Sequence, residues 1–157
     1  MTEFVPASFE PPAGLEHAAF RLRPLGPEHN YSDYLAWSSS LQHIRSSPGW
    51  ADASWPHPMT LEENLRDLGR HADDFAARTG FTYTVLTPSD DESRVIGCVY
   101  IYPARRAGAD VSVRSWVTAE SAHLDGPLYH AVSAWLKGDW PFRDVDYAER
   151  DTVGSPG

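Results

Sequence analysis

One stretch of this 157-residue chain pairs residue types and spacing that suit chemistry: Ala109 to Tyr147, which runs ADVSVRSWVTAES, AHLDG, PLYHAVSAWLKG, DWPFRDVDY. It reads as strand, tight turn, helix, strand. A helix opening directly after a strand presents free backbone N–H groups, and these suit a phosphate or another anion. Asp125 stands as the cap of that helix, followed by Gly126 and by Pro127 in the first turn. His123 and His130 flank the turn. His123 can offer a cation to an anion, whereas His130 falls off the Leu128/Ala131/Val132 stripe and reads as solvated.

A second group sits on Ser46 to Met59, SSPGWADASWPHPM. Three prolines and Gly49 make it a loop, yet it carries Trp50, Trp55 and His57. Such rings either plug the core or line a pocket, and the plug is favoured because large rings usually bury. A pocket built from Trp50, Trp55, His57 and Trp116 is the other reading. The seven histidines show no H-E-x-x-H or similar ligand spacing, so no metal is expected. Cys98, the single cysteine, excludes an internal disulfide and reads as a small core residue. Walker, G-x-G-x-x-G and G-x-S-x-G patterns are absent.

Composition narrows the class. With 41% hydrophobic residues and six tryptophans the chain can bury a core, so one folded domain is expected. A formal charge of −9 speaks against nucleic acid. No apolar run approaches the ~20 residues of a membrane helix, so no membrane is expected. The start, MTEFVPASFEPP, shows no secretory pattern, and the expected compartment is the cytoplasm.

The elements that must position these residues follow from periodicity. Residues 1–18 read as a loose leader, 19–147 as the domain and 148–157 as a frayed tail. Ala19–Leu25 alternates as a half-buried strand. Tyr34, Trp37, Leu41 and Ile44 mark one amphipathic helix from Asn30 to about Ile44. Thr60 and Glu63 form a capping box for a helix closed by Gly80, with an apolar stripe of Leu61, Leu65, Leu68, Ala72, Phe75 and Ala76. His71 within it reads as a surface side chain. Phe81–Thr87 alternates as a strand, Pro88–Ser93 is a polar hairpin turn, and Arg94–Tyr102 is a central strand covered on both faces. Gly97 there marks a bulge or a close backbone approach. The fourth strand shows Val111, Val113, Ser115 and Val117 on one side and Asp110, Ser112, Arg114 and Trp116 on the other. The last helix ends at Gly138, and Phe142–Tyr147 makes a fifth strand.

The order strand, helix, helix, strand, strand, strand, helix, strand resembles the GNAT acyltransferase superfamily. VIGCVYIYP, ADVSVRSWVTAES and AHLDGPLYHAVSAWL carry the likeness. The resemblance implies a mixed α/β sheet of about five strands: β1–β4 antiparallel, a parallel crossover from the fourth strand through a helix to the fifth, and helices on both faces. It also implies acetyl-CoA or another acyl-CoA as co-substrate. The pantetheine arm would lie along Trp116, Val117 and Thr118. The pyrophosphate would rest on a turn of the form R/Q-x-x-G-x-G/A. Here that turn reads His123, Gly126 and Leu128, with Asp125 and Pro127 between.

Acyl transfer to an amine needs a base, an oxyanion donor and an acid for the leaving thiolate. The resemblance gives Asp110, early on the fourth strand, the place of the base. Tyr100, Tyr102 and Tyr129 are candidate acids, each more often a packed aromatic with a hydrogen-bonded hydroxyl. The implied function is an N-acyltransferase acting on a small-molecule amine. The family usually continues past the fifth strand, so either a partner subunit completes the site or the site is incomplete; a homodimer is expected if the fifth strand leaves an unsatisfied edge. The alternative is an inactive GNAT-like module that binds a small molecule or a partner and self-associates.

Overall fold

A computed structural model describes residues 3–88 and 93–150. The hairpin turn expected at Pro88–Ser93 lies largely outside the described residues, as does the tail beyond Arg150. Six strands form one sheet in the order β1 (Leu15–Glu16), β2 (Arg21–Pro24), β3 (Phe81–Leu86), β4 (Val95–Pro103), β5 (Val111–Val117) and β6 (Val145–Tyr147). Every pairing is antiparallel except β5 with β6, which are parallel. The strand beyond the expected five is β1, a two-residue bridge that Leu15 and Glu16 make to Leu22 and Arg21.

Alternation assigns the two faces. Thr82, Tyr100, Tyr102, Ser112 and Arg114 point to one side, where α1 (Asn30–Ser38), α2 (Leu41–Arg45) and α3 (Leu61–Ala77) lie. Phe81, Tyr83, Val99, Ile101 and Val113 point to the other, against Leu128, Val132, Trp135 and Leu136 of α4 (Asp125–Asp139). Both faces are therefore covered, and β3 is buried along its whole length.

Four expectations change. The first helix breaks in two at Ser39–Ser40, because Ser40 leaves helical geometry and its Oγ accepts the Ala119 N–H at 2.9 Å. The capping box of α3 forms, but Arg78 rather than Gly80 takes the left-handed closing position at φ 64°. Gly80 instead gives room to the Tyr102 ring, which an added Cβ would strike. The leader is not loose: Val5 is buried, Phe4 stacks on Phe81, Phe9 packs on Trp140, and Tyr83 donates its hydroxyl hydrogen to Pro12 O. A strand buried on both faces needs that cover at its open end.

Most consequential is the rotation of α3. Leu61 and Leu65 are exposed, while Asn64 and Leu68 are buried and His71 and Phe75 are half-buried. The inward face is thus Asn64, Leu68, His71, Phe75, at helical spacing but half polar. Gly97 meets its expectation twice. The register slips beside it, between Val85 and Leu86, and the Trp116 carbonyl lies against its Cα.

Candidate functional site

Between α3, the aromatic loop and the sheet lies a cleft of about 550 Å³. Tyr100 and Tyr102 of β4 and Ser112 and Arg114 of β5 form its floor, neighbours by strand register. Asn64, His71 and Asp74 stand on the α3 side, and Trp50, Trp55 and His57 on the loop side.

A hydrogen-bonded chain runs along the α3 wall. The Tyr102 hydroxyl donates to Asp74 Oδ2 at 2.8 Å. Its single proton is then committed, so at 2.8 Å from His71 Nδ1 it accepts, and that nitrogen carries the ring hydrogen. Thr82 Oγ1 lies 3.1 Å from the same nitrogen. His71 Nε2 is thereby left with a free lone pair. Burial first, and Arg70 next, pull the imidazole pKa down to about 4, so the ring is neutral at pH 7. A neutral, oriented imidazole on a cleft wall offers Nε2 as a hydrogen-bond acceptor to an amine; as a weak base it can take a proton only once attack on an acyl group has made the amine nitrogen acidic.

Below it, Asp33 is 3% exposed, accepts from Asn64 Nδ2 at 3.1 Å, and is pushed up to about 6 by burial. Asn64 is fixed in turn by Trp37 Nε1, which donates to its Oδ1 at 3.0 Å. The Tyr100 hydroxyl accepts from Trp116 Nε1 at 2.9 Å. Burial raises the Tyr100 phenol and the Cys98 thiol well above their usual ranges, so both stay protonated.

The loop tryptophans divide the two roles weighed for them. Trp50 is a plug: it is 2% exposed and donates Nε1 to Ser115 O at 2.9 Å. Trp55 is a wall, packed on Trp37 and Trp50 with its remaining face toward the cleft. His57 is exposed at the rim.

The remaining expected site residues do not converge on this cleft. Both oxygens of Asp110 accept backbone N–H groups, from Arg143 and Asp144, and tie down the approach to β6. Tyr129 packs 4.7 Å from Tyr147 on the α4 side, with the sheet between it and Tyr100. Trp116 lies beneath the cleft, Val117 in the opposite core, and Thr118 caps a 3-10 helix, Ala119–Leu124. His123 is exposed on that helix, and Leu128 is fully buried in the α4 core. A Cβ on Gly126 would meet nothing within 4 Å, so no close backbone approach is built there.

The β5–β6 junction borders the strand along which the resemblance would lay the pantetheine arm. The strands pair only from Val111 with Val145 to Val113 with Tyr147, then part. Arg150 fills the gap. Its Nη2 donates to Ser115 O at 2.7 Å and its Nε meets Asp125 Oδ2 at 2.8 Å, with the side chain 2% exposed. The Tyr147 hydroxyl bonds Ser115 Oγ at 2.6 Å. In the turn beyond, the N–H groups of Ala119, Ser121 and Asp125 already have acceptors, and Pro127 has none to give. As it stands, the Arg150 guanidinium fills the strand gap and the Asp125 carboxylate sits at the helix N-terminus, so both must shift before an acyl-CoA could enter here.

Comparison with solved structures places the architecture. A ribosomal-protein-S5-alanine acetyltransferase from Vibrio fischeri superposes with TM-score 0.65 at 14% identity, over 92% of this chain and 79% of that one. The microcin C7 self-immunity acetyltransferase MccE, solved with acetyl-CoA and AMP, gives TM-score 0.64 at 13% identity, over 93% and 79%. RimL, the ribosomal L7/L12 α-N-protein acetyltransferase solved with coenzyme A, gives 0.63 at 12%, over 91% and 78%.

This chain has the GNAT fold.

No protein-family model and no curated protein sequence matches the chain. Within the GNAT fold, β5 and α4 stand where the resemblance put its fourth strand and crossover helix. Among the described residues no cluster of His, Cys, Asp and Glu is arranged to hold a metal ion, and no helix is long and apolar enough to cross a membrane. Sequence reasoning missed His71, Asp74, Asp33 and Arg150. The signal for the first two was present: polar Asn64 and His71 recur with Leu68 at helical spacing, so that face of α3 was a candidate for the inside.

Proposed function

We propose that this chain is an N-acyltransferase that moves an acyl group from an acyl-CoA thioester to a small primary amine. The observation that carries the reading is His71: a neutral, tautomer-fixed imidazole facing a cleft beside β5 on a GNAT fold. Bound acyl-CoA supplies the activated acyl group. The chain's own part is to seat the amine between Tyr100 and the α3 wall. There His71 Nε2 takes its proton, while Tyr102 and Asp74 hold the ring in place. Asp110 and Tyr129, the base and acid implied by the resemblance, lie away from this cleft, so His71 replaces the first and Tyr100 is the remaining candidate donor. Arg150 must leave the β5–β6 gap before any thioester enters.

The test is thiol release from acetyl-CoA in the presence of a panel of primary amines. Cys98 is buried and adds little background. His71→Ala is expected to lower turnover by roughly 100-fold or more with the fold retained. Undiminished turnover in that variant, or no release with any amine, removes the reading.

The buried Arg150 favours a second reading. The same cleft, on a scaffold whose acyl-CoA channel stays shut, would bind an amine without turning it over. Under either reading we infer a cytoplasmic homodimer formed through β6, a strand at the edge of the sheet.

A further inference from the structure

Two arginines on the loop side of the cleft have no use in what has been described. Arg114 is half-buried, with its Cζ 4.5 Å from the centroid of the Trp50 ring. Arg105 lines the same end, and its charge, after burial, lowers the Arg114 pKa. Among the described residues neither guanidinium has a carboxylate within ion-pair distance. By contrast, Arg70 is paired with Asp67 on the opposite wall. A guanidinium stacked on an indole uses its flat face, and its in-plane N–H donors stay available in a fixed fork. Arg114 is a partly desolvated cation without a carboxylate, and the exposed Arg105 adds a second positive charge near it, so an anion at this end is favoured.

The opposite end of the cleft has the opposite character. Asp74 and the Nε2 lone pair of His71 attract an ammonium group and accept its hydrogen bonds. Tyr100 separates the two ends, its ring 5.5 Å from His71 on one side and 5.8 Å from Trp50 on the other.

We propose that the cleft is an amphoteric acceptor site: it takes a primary amine that also carries an oxyanion, carboxylate or phosphate, held by Arg114 with Arg105. The amine points to His71, the oxyanion to Arg114, and an apolar body lies over Tyr100 against Trp55. This names the acceptor class for the acyl transfer proposed above and rests on that reading for the amine's fate, though not for its binding.

The experiment is a binding titration followed by tryptophan fluorescence, with four probes: 4-(aminomethyl)benzoate, 4-(aminomethyl)phenyl phosphate, benzylamine and benzoate. At least one of the two amphoteric probes should bind about 10-fold or more tighter than benzylamine and benzoate. The stronger of the two identifies the oxyanion. Arg114→Gln should erase that advantage and Arg114→Lys should keep part of it. If Arg114→Gln fails to fold, Arg105→Gln serves, with a smaller loss of the same probe. Equal binding of benzylamine and the amphoteric probes, an unchanged Arg114→Gln, or no binding of any probe at millimolar concentration overturns the proposal. Selective binding without thiol release keeps this site and removes the acyltransferase reading. Turnover of benzylamine as fast as of its carboxylate does the reverse.

Discussion

Arg150, three residues past β6, reaches Asp125 in the first turn of α4, with Nε and Oδ2 2.8 Å apart. The pair closes the gap where β5 and β6 part. It also leaves Asp125 Oδ1 buried without a partner. Removing one member strands the other, which costs about 3 kcal/mol or more. Arg150→Gln should therefore lower the urea midpoint markedly. The double variant with Asp125→Asn should recover part of the loss, because no charge is then left alone. The double variant also opens the channel and removes the carboxylate from the helix N-terminus. Calorimetric titration with coenzyme A should detect binding in it that the unaltered chain lacks or shows more weakly. Equal coenzyme A affinity in both would mean that the pair does not guard the channel.

Stability should depend on pH through two opposed groups. Asp33 is raised from 3.8 to about 6, so the folded state holds its proton longer. Its effect is a loss of stability as pH rises from about 4 to 6, in total roughly 3 kcal/mol. His71 is lowered from 6.5 to about 4. Its stabilising effect is complete above pH 6.5 and is lost as pH falls toward 4, again by roughly 3 kcal/mol. Between pH 4 and 6 the two slopes oppose, and these two groups together give a nearly flat profile. Asp33→Asn should turn it into one that rises with pH and be the more stable protein at pH 7. His71→Gln should turn it into one that falls. Urea unfolding across that window reads both, and parallel profiles for all three proteins would contradict the assignment.

Tyr102 holds the tautomer of His71. Tyr102→Phe keeps the ring but takes away the acceptor for Nδ1–H and the donor to Asp74. Turnover should drop by about 10-fold or more, with stability changed by about 1 kcal/mol. Gly80→Ala should do similar harm from outside the cleft, because its methyl collides with the Tyr102 ring. Full activity in both variants would separate His71 from the chemistry.

Among the described residues β6 is an edge strand, and its edge should bring two copies together. Sedimentation velocity at micromolar protein is expected to show a dimer. A monomer at every concentration would leave the β6 edge to solvent and remove that inference.

Much of the architecture was legible from local pattern. Alternation over Phe81–Thr87 and Val111–Val117, the Thr60–Glu63 capping box and the strand–turn–helix of Ala109–Gly138 depend on neighbours a few residues apart. Their geometry is dictated by period and by caps. The exceptions are also physical. Leu61 and Leu65 looked like the buried stripe of α3, but the sheet meets the helix on the face of Asn64, Leu68 and His71. A two-sided helix pattern does not say which side wins when the polar side has partners such as Trp37 and Tyr102 waiting.

The site divides along the same line. Sequence alone determined the mixed α/β class, the strand–turn–helix of Ala109–Gly138 and the tryptophans on a loop. Only the tertiary structure decided that Arg150 fills that strand gap, that His71 bonds a tyrosine 31 residues away, and that Trp50 donates to a carbonyl 65 residues away. Secondary structure is set by interactions within a turn or two, whereas a site is made of contacts between distant segments. Their partners are chosen by how the packed layers come to rest.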